Sequence, residues 1–91
     1  MNPIYPPTAD FKHLIHGRRY RVVMGFVDFD RDEHKVGESW TYIGSAFLPY
    51  DDGLSLFVET DAGARHIRMQ WREQEQGPII DRLQDYVQEM K

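Results

Sequence analysis

Apolar and polar residues alternate with a period of two in four segments of the chain, which is the pattern of strands with one buried face. The first segment begins after Arg18, and the second begins at Glu38. The third follows an Asp-Gly turn signal and begins at Leu54, and the fourth covers residues 64–71. Because short turns join these segments, the pattern predicts an antiparallel meander.

At both ends of the chain, the apolar and polar residues no longer alternate with a period of two. Prolines predict an extended N-terminal arm over residues 1–10, and a short helical turn closed by Gly17 follows it. After Gly77-Pro78, apolar residues fall on one stripe of an amphipathic helix. We therefore expect a mostly β, SH3-like domain over residues 11–91, with four or five strongly bent antiparallel strands and a C-terminal α-helix. A flatter sheet with the helix on one face is the alternative.

The absence of cysteine and of a long apolar segment limits the chemistry and the location expected of this protein. The 91 residues include no cysteine, which excludes disulfides, thiolate metal sites and thiol catalysis. No apolar run has the length needed to span a bilayer, and the N-terminal residues lack the pattern of a signal peptide. The prediction is a single cytoplasmic domain without a membrane segment.

Charge is distributed unevenly along the chain. Residues 28–61 carry nine acidic and two basic side chains, whereas residues 1–27 are net positive. The whole chain has a net charge of −4. Binding to nucleic acid depends on many lysines and arginines that replace counterions, so this distribution disfavours nucleic acid as a partner.

The segment Asp28–His34, with the sequence DFDRDEH, is the sharpest candidate for metal chemistry. Its acidic residues Asp28, Asp30 and Asp32 have the first spacings of an EF-hand loop. Glu33 stands where that loop requires glycine, and strands rather than helices are expected on both sides. A looser divalent-cation site at the three aspartates is one interpretation, and a solvated turn is the favoured one.

Motifs for catalysis are incomplete. His13 and His16 are three residues apart and have only a weak claim on a metal, because no H-E-x-x-H motif is present and no further ligand follows at a zinc-site spacing. The segment GLSLF resembles the start of a serine esterase elbow, but Phe57 replaces its second glycine. We therefore predict that the protein is not an enzyme and uses no cofactor.

Aromatic side chains supply the best candidate for a binding surface. Tyr50 stands beside Asp51 and Asp52, and SH3-like domains use such combinations to bind extended peptides. Trp40 and Tyr42 complete the predicted peptide site. The favoured alternative is that Trp40, Phe57 and Trp71 form the core and that Tyr50 packs under the turn. A protein or peptide is the predicted partner, and a homodimer is a second prediction.

A basic row is the last candidate surface. His66 and Arg68 point away from the predicted core, and Arg19 and Arg21 join them if the first and fourth strands pair. Such a row could bind an acidic partner or nucleic acid. Ion pairs with the acidic middle of the same chain are the favoured interpretation.

A resemblance to a known family covers the chain from Phe11 to Val87. The string GRRYRVV, followed by GESWTYIG, FLPYDDGLSLFV and IRMQW, resembles a small family of bacterial domains of unknown function. The resemblance implies a bacterial single-domain protein and transfers no activity. The sequence thus predicts an interaction module, with a weak cation-binding protein or a nucleic-acid-binding barrel as alternatives.

Overall fold

Seven strands and two short helices make up the computed structural model, which describes residues 9–90. The strands are β1 (Arg19–Val22), β2 (Phe26–Val27), β3 (Glu33–His34), β4 (Ser39–Leu48), β5 (Gly53–Thr60), β6 (Gly63–Gln70) and β7 (Val87–Glu89). The helices are α1 (Gly77–Asp81) and α2 (Leu83–Tyr86). Nearly all of the predicted N-terminal arm lies outside the described residues.

The predicted meander is confirmed. One antiparallel sheet has the strand order β6-β5-β4-β1-β7, and β2 and β3 pair separately as a hairpin. The register of β4 against β5 shifts between Tyr42 and Gly44, which forms a bulge and bends the long strand. Within residues 9–90 the sheet does not close into a barrel.

The first predicted strand is divided into two. Sequence alternation predicts one strand of about eight residues that includes Gly25, but β1 ends at Val22 and β2 begins at Phe26. Between them the chain approaches the hairpin closely, because a Cβ at Gly25 would lie 3.3 Å from the carbonyl oxygen of His34. The glycine therefore permits the chain to pass from the main sheet to the separate hairpin.

The predicted C-terminal helix is wrong as one continuous element. Arg82 has φ −123° and ψ 34°, which separates α1 from α2, and the chain continues as β7. There Val87 lies opposite Val22 of β1, and three residue pairs join the two strands. Pairing with the open edge of β1 satisfies backbone groups of both strands, so tertiary contacts override the helical pattern.

The predicted N-terminal helical turn is also wrong. Phe11 and Leu14 exchange backbone hydrogen bonds of 3.0 and 2.8 Å, and Lys12 between them has a φ of 51°. The Tyr20 hydroxyl fixes the end of this turn, since it donates to the His13 carbonyl and accepts from the Ile15 amide. These bonds to a buried side chain favour a tight turn over a helix.

The core lies between the inner face of the sheet and the covering helices, hairpin and N-terminal turn. Its buried apolar residues are Leu14, Tyr20, Val22, Phe26, Trp40, Tyr42, Leu54, Leu56, Val58, Ile67, Met69, Ile80, Leu83 and Val87. They come from every strand of the main sheet and from both helices. Neither helix in the described part of the chain has the length and apolar character needed to cross a membrane.

Candidate functional site

The acidic segment at residues 28–34 is a tight turn closed by its first aspartate. Asp28 is buried, and its Oδ1 accepts hydrogen bonds from the amides of Asp30 and Asp32 at 2.9 and 3.0 Å. Arg31 adopts φ 71° at the tip. An aspartate that bonds the backbone ahead of it is the usual way to stabilise such a connection.

A buried polar network extends from this turn into the core. His34 is fully buried and stacks on Phe26 with ring centroids 4.7 Å apart. Its Nε2 lies 2.8 Å from Oδ2 of Asp28, and its Nδ1 lies 2.6 Å from Oε2 of Glu38. The indole of Trp40 donates to the same Glu38 oxygen at 3.1 Å.

The network joins the β2–β3 hairpin to the main sheet. A neutral imidazole has a single N–H donor, yet both ring nitrogens of His34 face carboxylate oxygens. Both contacts are satisfied as hydrogen bonds only when the three groups share an additional proton. The ring is sealed from solvent, so this arrangement holds the fold together and offers no access to a substrate.

The predicted cation site at Asp28, Asp30 and Asp32 is not assembled. Both oxygens of Asp28 already have partners, and Asp30 forms an ion pair with Arg68 at 3.2 Å. Asp32 is exposed. Among residues 9–90, no group of three or more histidine, cysteine, aspartate or glutamate side chains is arranged to hold a metal ion.

The two histidines of the N-terminal turn contact carbonyl oxygens of different strands. His13 Nε2 lies 2.6 Å from the carbonyl oxygen of Val87, and His16 Nδ1 lies 2.6 Å from that of Ile43. Each ring thus connects the N-terminal turn to a strand. They do not share a ligand position.

The five residues of the predicted peptide site differ in burial and do not form one surface. Trp40 and Tyr42 belong to the core, where burial raises the pKa of the Tyr42 hydroxyl, which donates to the Ala9 carbonyl at 2.7 Å. They cannot line a surface groove. Tyr50 is 85% exposed, and Asp51 and Asp52 lie with it in the β4–β5 turn.

Three large apolar side chains are exposed where β4 meets this turn, and we call them the hairpin tip: Phe47, Leu48 and Tyr50. Their exposed fractions are 41%, 49% and 85%. Phe47 packs edge-on against Trp71 with ring centroids 5.8 Å apart. On the opposite side, Leu48 shares a small pocket with Phe29, which is also exposed. The tip therefore exposes apolar side chains on both sides of the turn.

The turn that carries the tip is held by several bonds. Asp51 Oδ1 accepts from the Gly53 amide at 2.9 Å, and the Asp52 carbonyl accepts from the Trp71 amide at 2.8 Å. The Asp52 carboxylate pairs with Arg72 at 3.1 Å. Asp52 adopts φ 56°, a conformation that aspartate tolerates better than most residues. The two aspartates thus hold the tip in shape.

The predicted basic row is divided between distant strands. Arg19 and Arg21 lie on β1, whereas His66 and Arg68 lie on β6, and β4 and β5 separate them. Three spacings between neighbouring strands separate β1 from β6, which corresponds to about 14 Å. The four side chains share the face of the sheet opposite the core, which we call the outer face, but they do not form one cluster.

A shallow groove crosses the outer face beside β6. We call it the outer groove; it has a volume of about 370 Å³ and is lined by Ile43, Phe57, Val58, Glu59, Ala64, Arg65 and His66. His66 stacks on Phe57 with centroids 4.8 Å apart. Partial burial lowers the pKa of His66, the nearby Arg68 guanidinium lowers it further, and Asp30 opposes them.

Sequence reasoning missed the network around His34. The alternation that places Tyr20, Val22 and Phe26 in the core also places Asp28 inward. This alternation is the feature of the sequence from which a buried aspartate could be predicted. Glu38 gave no signal, because its role depends on a hairpin that brings His34 back beside it.

Comparison with known proteins agrees with this fold. The family model described as "Domain of unknown function (DUF3601)" matches residues 7–91. The chain belongs to the DUF3601 family. The resemblance to a small family of domains of unknown function is thereby confirmed. No curated protein matches the chain.

The DUF3601 chain is also similar to a solved structure. This is the structure of the integron cassette protein VCH_CASS4 from the mobile metagenome of Vibrio cholerae, with 30% sequence identity and a TM-score of 0.88. The match covers 90% of this chain and 91% of that chain. The name of the Vibrio protein states no activity, so the comparison supports the fold and the family.

Proposed function

We propose that this DUF3601 domain is a non-catalytic interaction module that binds a partner protein through the hairpin tip. The observation that carries the proposal is the exposure of Tyr50, at 85%, beside two further exposed apolar side chains. Exposed apolar side chains are costly to hydrate, and clusters of them are typical of interaction sites. Tyrosine is especially suited to this role because it combines a large apolar ring with a polar hydroxyl.

The rigidity of the turn supports this use. Asp51 and Asp52 bond the backbone and Arg72, so the tip does not have to be ordered when a partner arrives. Binding by a preorganised surface loses less conformational entropy than binding by a flexible loop.

The charges near the tip favour a basic partner segment. Asp51 lines the small pocket between Phe29 and Leu48, and Asp32 and Glu33 are exposed on the acidic turn that carries Phe29. Arg68 and Arg72 offset part of this charge. An extended, proline-rich segment that carries arginines fits an aromatic surface with acidic neighbours, in the manner of SH3-like peptide recognition.

Titration of a labelled proline-rich, arginine-containing peptide into the protein tests the proposal by fluorescence anisotropy. We expect Tyr50→Ala to weaken binding about thirtyfold or more, because truncating an aromatic residue at an interface hot spot costs about 2 kcal/mol or more. Val36→Ala is the matched control, since Val36 is 68% exposed and lies outside the tip. Failure of the wild-type protein to bind, or equal losses in both variants, would contradict the proposal.

Two further predictions belong to this proposal. A homodimer could cover the tip instead of a different protein, and sedimentation of wild type and Tyr50→Ala distinguishes the two cases. A concentration-dependent increase in mass that Tyr50→Ala removes would assign the tip to self-association. Cytoplasmic residence remains a prediction from the sequence.

A further inference from the structure

A pocket borders the hairpin tip on the side of Trp71. It has a volume of about 520 Å³, and we call it the Trp71 pocket; its lining includes Trp71, Arg72, Glu73, Pro78, Asp81 and Arg82. The Trp71 backbone N–H donates to the Asp52 carbonyl at 2.8 Å, and the Trp71 ring packs against Phe47 of the tip. A peptide segment that covers the tip can therefore place one side chain in this pocket.

The two basic side chains of the pocket already have acidic partners outside its lining. The Nε of Arg72 lies 3.1 Å from an oxygen of Asp52, and the Nε of Arg82 lies 3.7 Å from an oxygen of Asp85. Each of these carboxylates offsets the charge of its arginine. The two arginines therefore add little positive charge to the pocket.

The two acidic side chains of the pocket have no basic partner. Within residues 9–90, neither Glu73 nor Asp81 forms an ion pair, and both residues are exposed. Asp81 Oδ1 accepts the indole N–H of Trp71 at 2.9 Å, which orients its carboxylate beside the ring. Two carboxylates whose charge is not offset thus line the same pocket as one indole, and charge favours a cationic ligand group there.

The Trp71 ring forms an aromatic wall of the pocket. The residue is half-buried, and Phe11 and Phe47 pack against its ring edge-on. The Lys12 ammonium lies 5.5 Å from the centroid of the Trp71 ring, but Lys12 does not belong to the lining of the pocket. The part of the ring that lines the pocket is therefore available to a second cation, and indole is the aromatic group that attracts cations most strongly.

We propose that the Trp71 pocket receives an arginine side chain of the peptide segment that binds the hairpin tip. This inference rests on the proposed function and names the side chain that the neighbouring pocket selects. A guanidinium group is planar, so it stacks on the indole of Trp71 while its N–H groups donate to the carboxylates of Glu73 and Asp81. A lysine ammonium offers the same charge without a planar face and fits the site less well.

Nuclear magnetic resonance with a small probe tests the pocket without the peptide. The chain has two tryptophans, so the indole N–H signal of Trp71 can be compared with that of the buried Trp40. We expect Nα-acetyl-arginine amide to shift the Trp71 signal and to leave the Trp40 signal unchanged, both in the wild type and in Tyr50→Ala. The citrulline analogue, which is similar in shape and uncharged, should shift neither signal. Absence of the Trp71 shift, or an equal shift with citrulline, would overturn the proposal.

Peptide affinity tests the link to the tip by fluorescence anisotropy. We expect citrulline in place of arginine in the proline-rich peptide to weaken binding to the wild type about tenfold. Glu73→Gln combined with Asp81→Asn should remove this difference, and the asparagine keeps an oxygen for the Trp71 indole. Asp61→Asn is the matched control, because Asp61 is exposed in the turn between β5 and β6 and lies outside the pocket.

The outcomes separate this proposal from the proposed function. If the arginine peptide does not bind the wild type, the proposed function fails, and the indole titration still decides whether the pocket binds arginine. If the peptide binds but the Glu73→Gln, Asp81→Asn variant still prefers arginine to citrulline, the pocket is not its site. Equal effects of Asp61→Asn, or equally tight binding of a lysine peptide, would likewise overturn the proposal.

Discussion

Replacing His34 by leucine is predicted to be among the most damaging single changes in the molecule. Leucine has a similar volume, so little cavity is created, but the carboxylates of Asp28 and Glu38 lose their partner. Asp28 is only 1% exposed, and its Oδ2 lies 2.8 Å from the imidazole. Removing one member of a buried charged pair commonly costs about 3–5 kcal/mol. That is a large part of the about 5–15 kcal/mol that stabilises a typical domain.

Urea unfolding followed by tryptophan fluorescence measures this loss. Trp40 donates to Glu38 at 3.1 Å, so its emission reports directly on the network. For a small domain the free energy of unfolding falls by about 1–1.5 kcal/mol per molar urea, which predicts a midpoint lower by about 2–5 M. If His34→Leu is too unstable to purify, His34→Gln provides a milder variant, because its amide can still donate one hydrogen bond.

A paired variant separates the network from simple loss of packing. Asp28→Asn removes the charge and keeps an oxygen that can accept from the amides of Asp30 and Asp32. We expect Asp28→Asn combined with His34→Leu to be more stable than the sum of the single changes implies, by about 1 kcal/mol or more. The control His66→Leu should cost less than about 1 kcal/mol, since His66 is exposed. Additive effects, or a loss below about 1 kcal/mol in His34→Leu, would refute the reasoning.

Three further changes test the local physics. Gly77→Ala should destabilise the fold by about 2 kcal/mol or more in urea unfolding, because the added Cβ would lie 2.6 Å from the Arg72 carbonyl oxygen; a neutral result would contradict the close approach. Arg31→Gly should raise stability by up to about 1 kcal/mol, since Arg31 has φ 71°, and a loss of stability would argue against strain there. In the folded protein, burial and then the Arg68 guanidinium lower the pKa of His66. At pH values just below the usual pKa of about 6.5, His66 therefore binds a proton more readily in the unfolded chain than in the folded protein. Stability should therefore rise with pH through that window, and His66→Gln should flatten the rise; an unchanged slope would remove His66 as its cause.

The meander could be predicted from the sequence because its signals are local. Alternation in β4, β5 and β6 coincides with short turns, and the pairs Thr41↔Glu59 and Thr60↔Gly63 follow directly from that connectivity. The C-terminal strand could not be predicted in this way. The spacing of Leu83 and Val87 suits a helix, and Val87 becomes part of a strand only because the edge of β1 is open beside it.

The candidate sites were predictable to the extent that they are local. The turn that contains Tyr50, Asp51 and Asp52 predicts a surface position for Tyr50, and the structure leaves it exposed. Trp40 shares only its aromatic chemistry with Tyr50, and alternation within β4 places the Trp40 ring in the core. The role of Glu38 depends on contacts across the β2–β3 hairpin, which no spacing along the chain reveals.

The most direct test of the account places a photoreactive benzophenone side chain at position 50 and irradiates the protein with its native lysate. The central claim is that the hairpin tip is the interaction surface, so we predict a discrete cross-linked adduct at position 50. The same group at position 36, which is also exposed, should give none of that adduct. No adduct at position 50, or the same adduct at both positions, would contradict the claim.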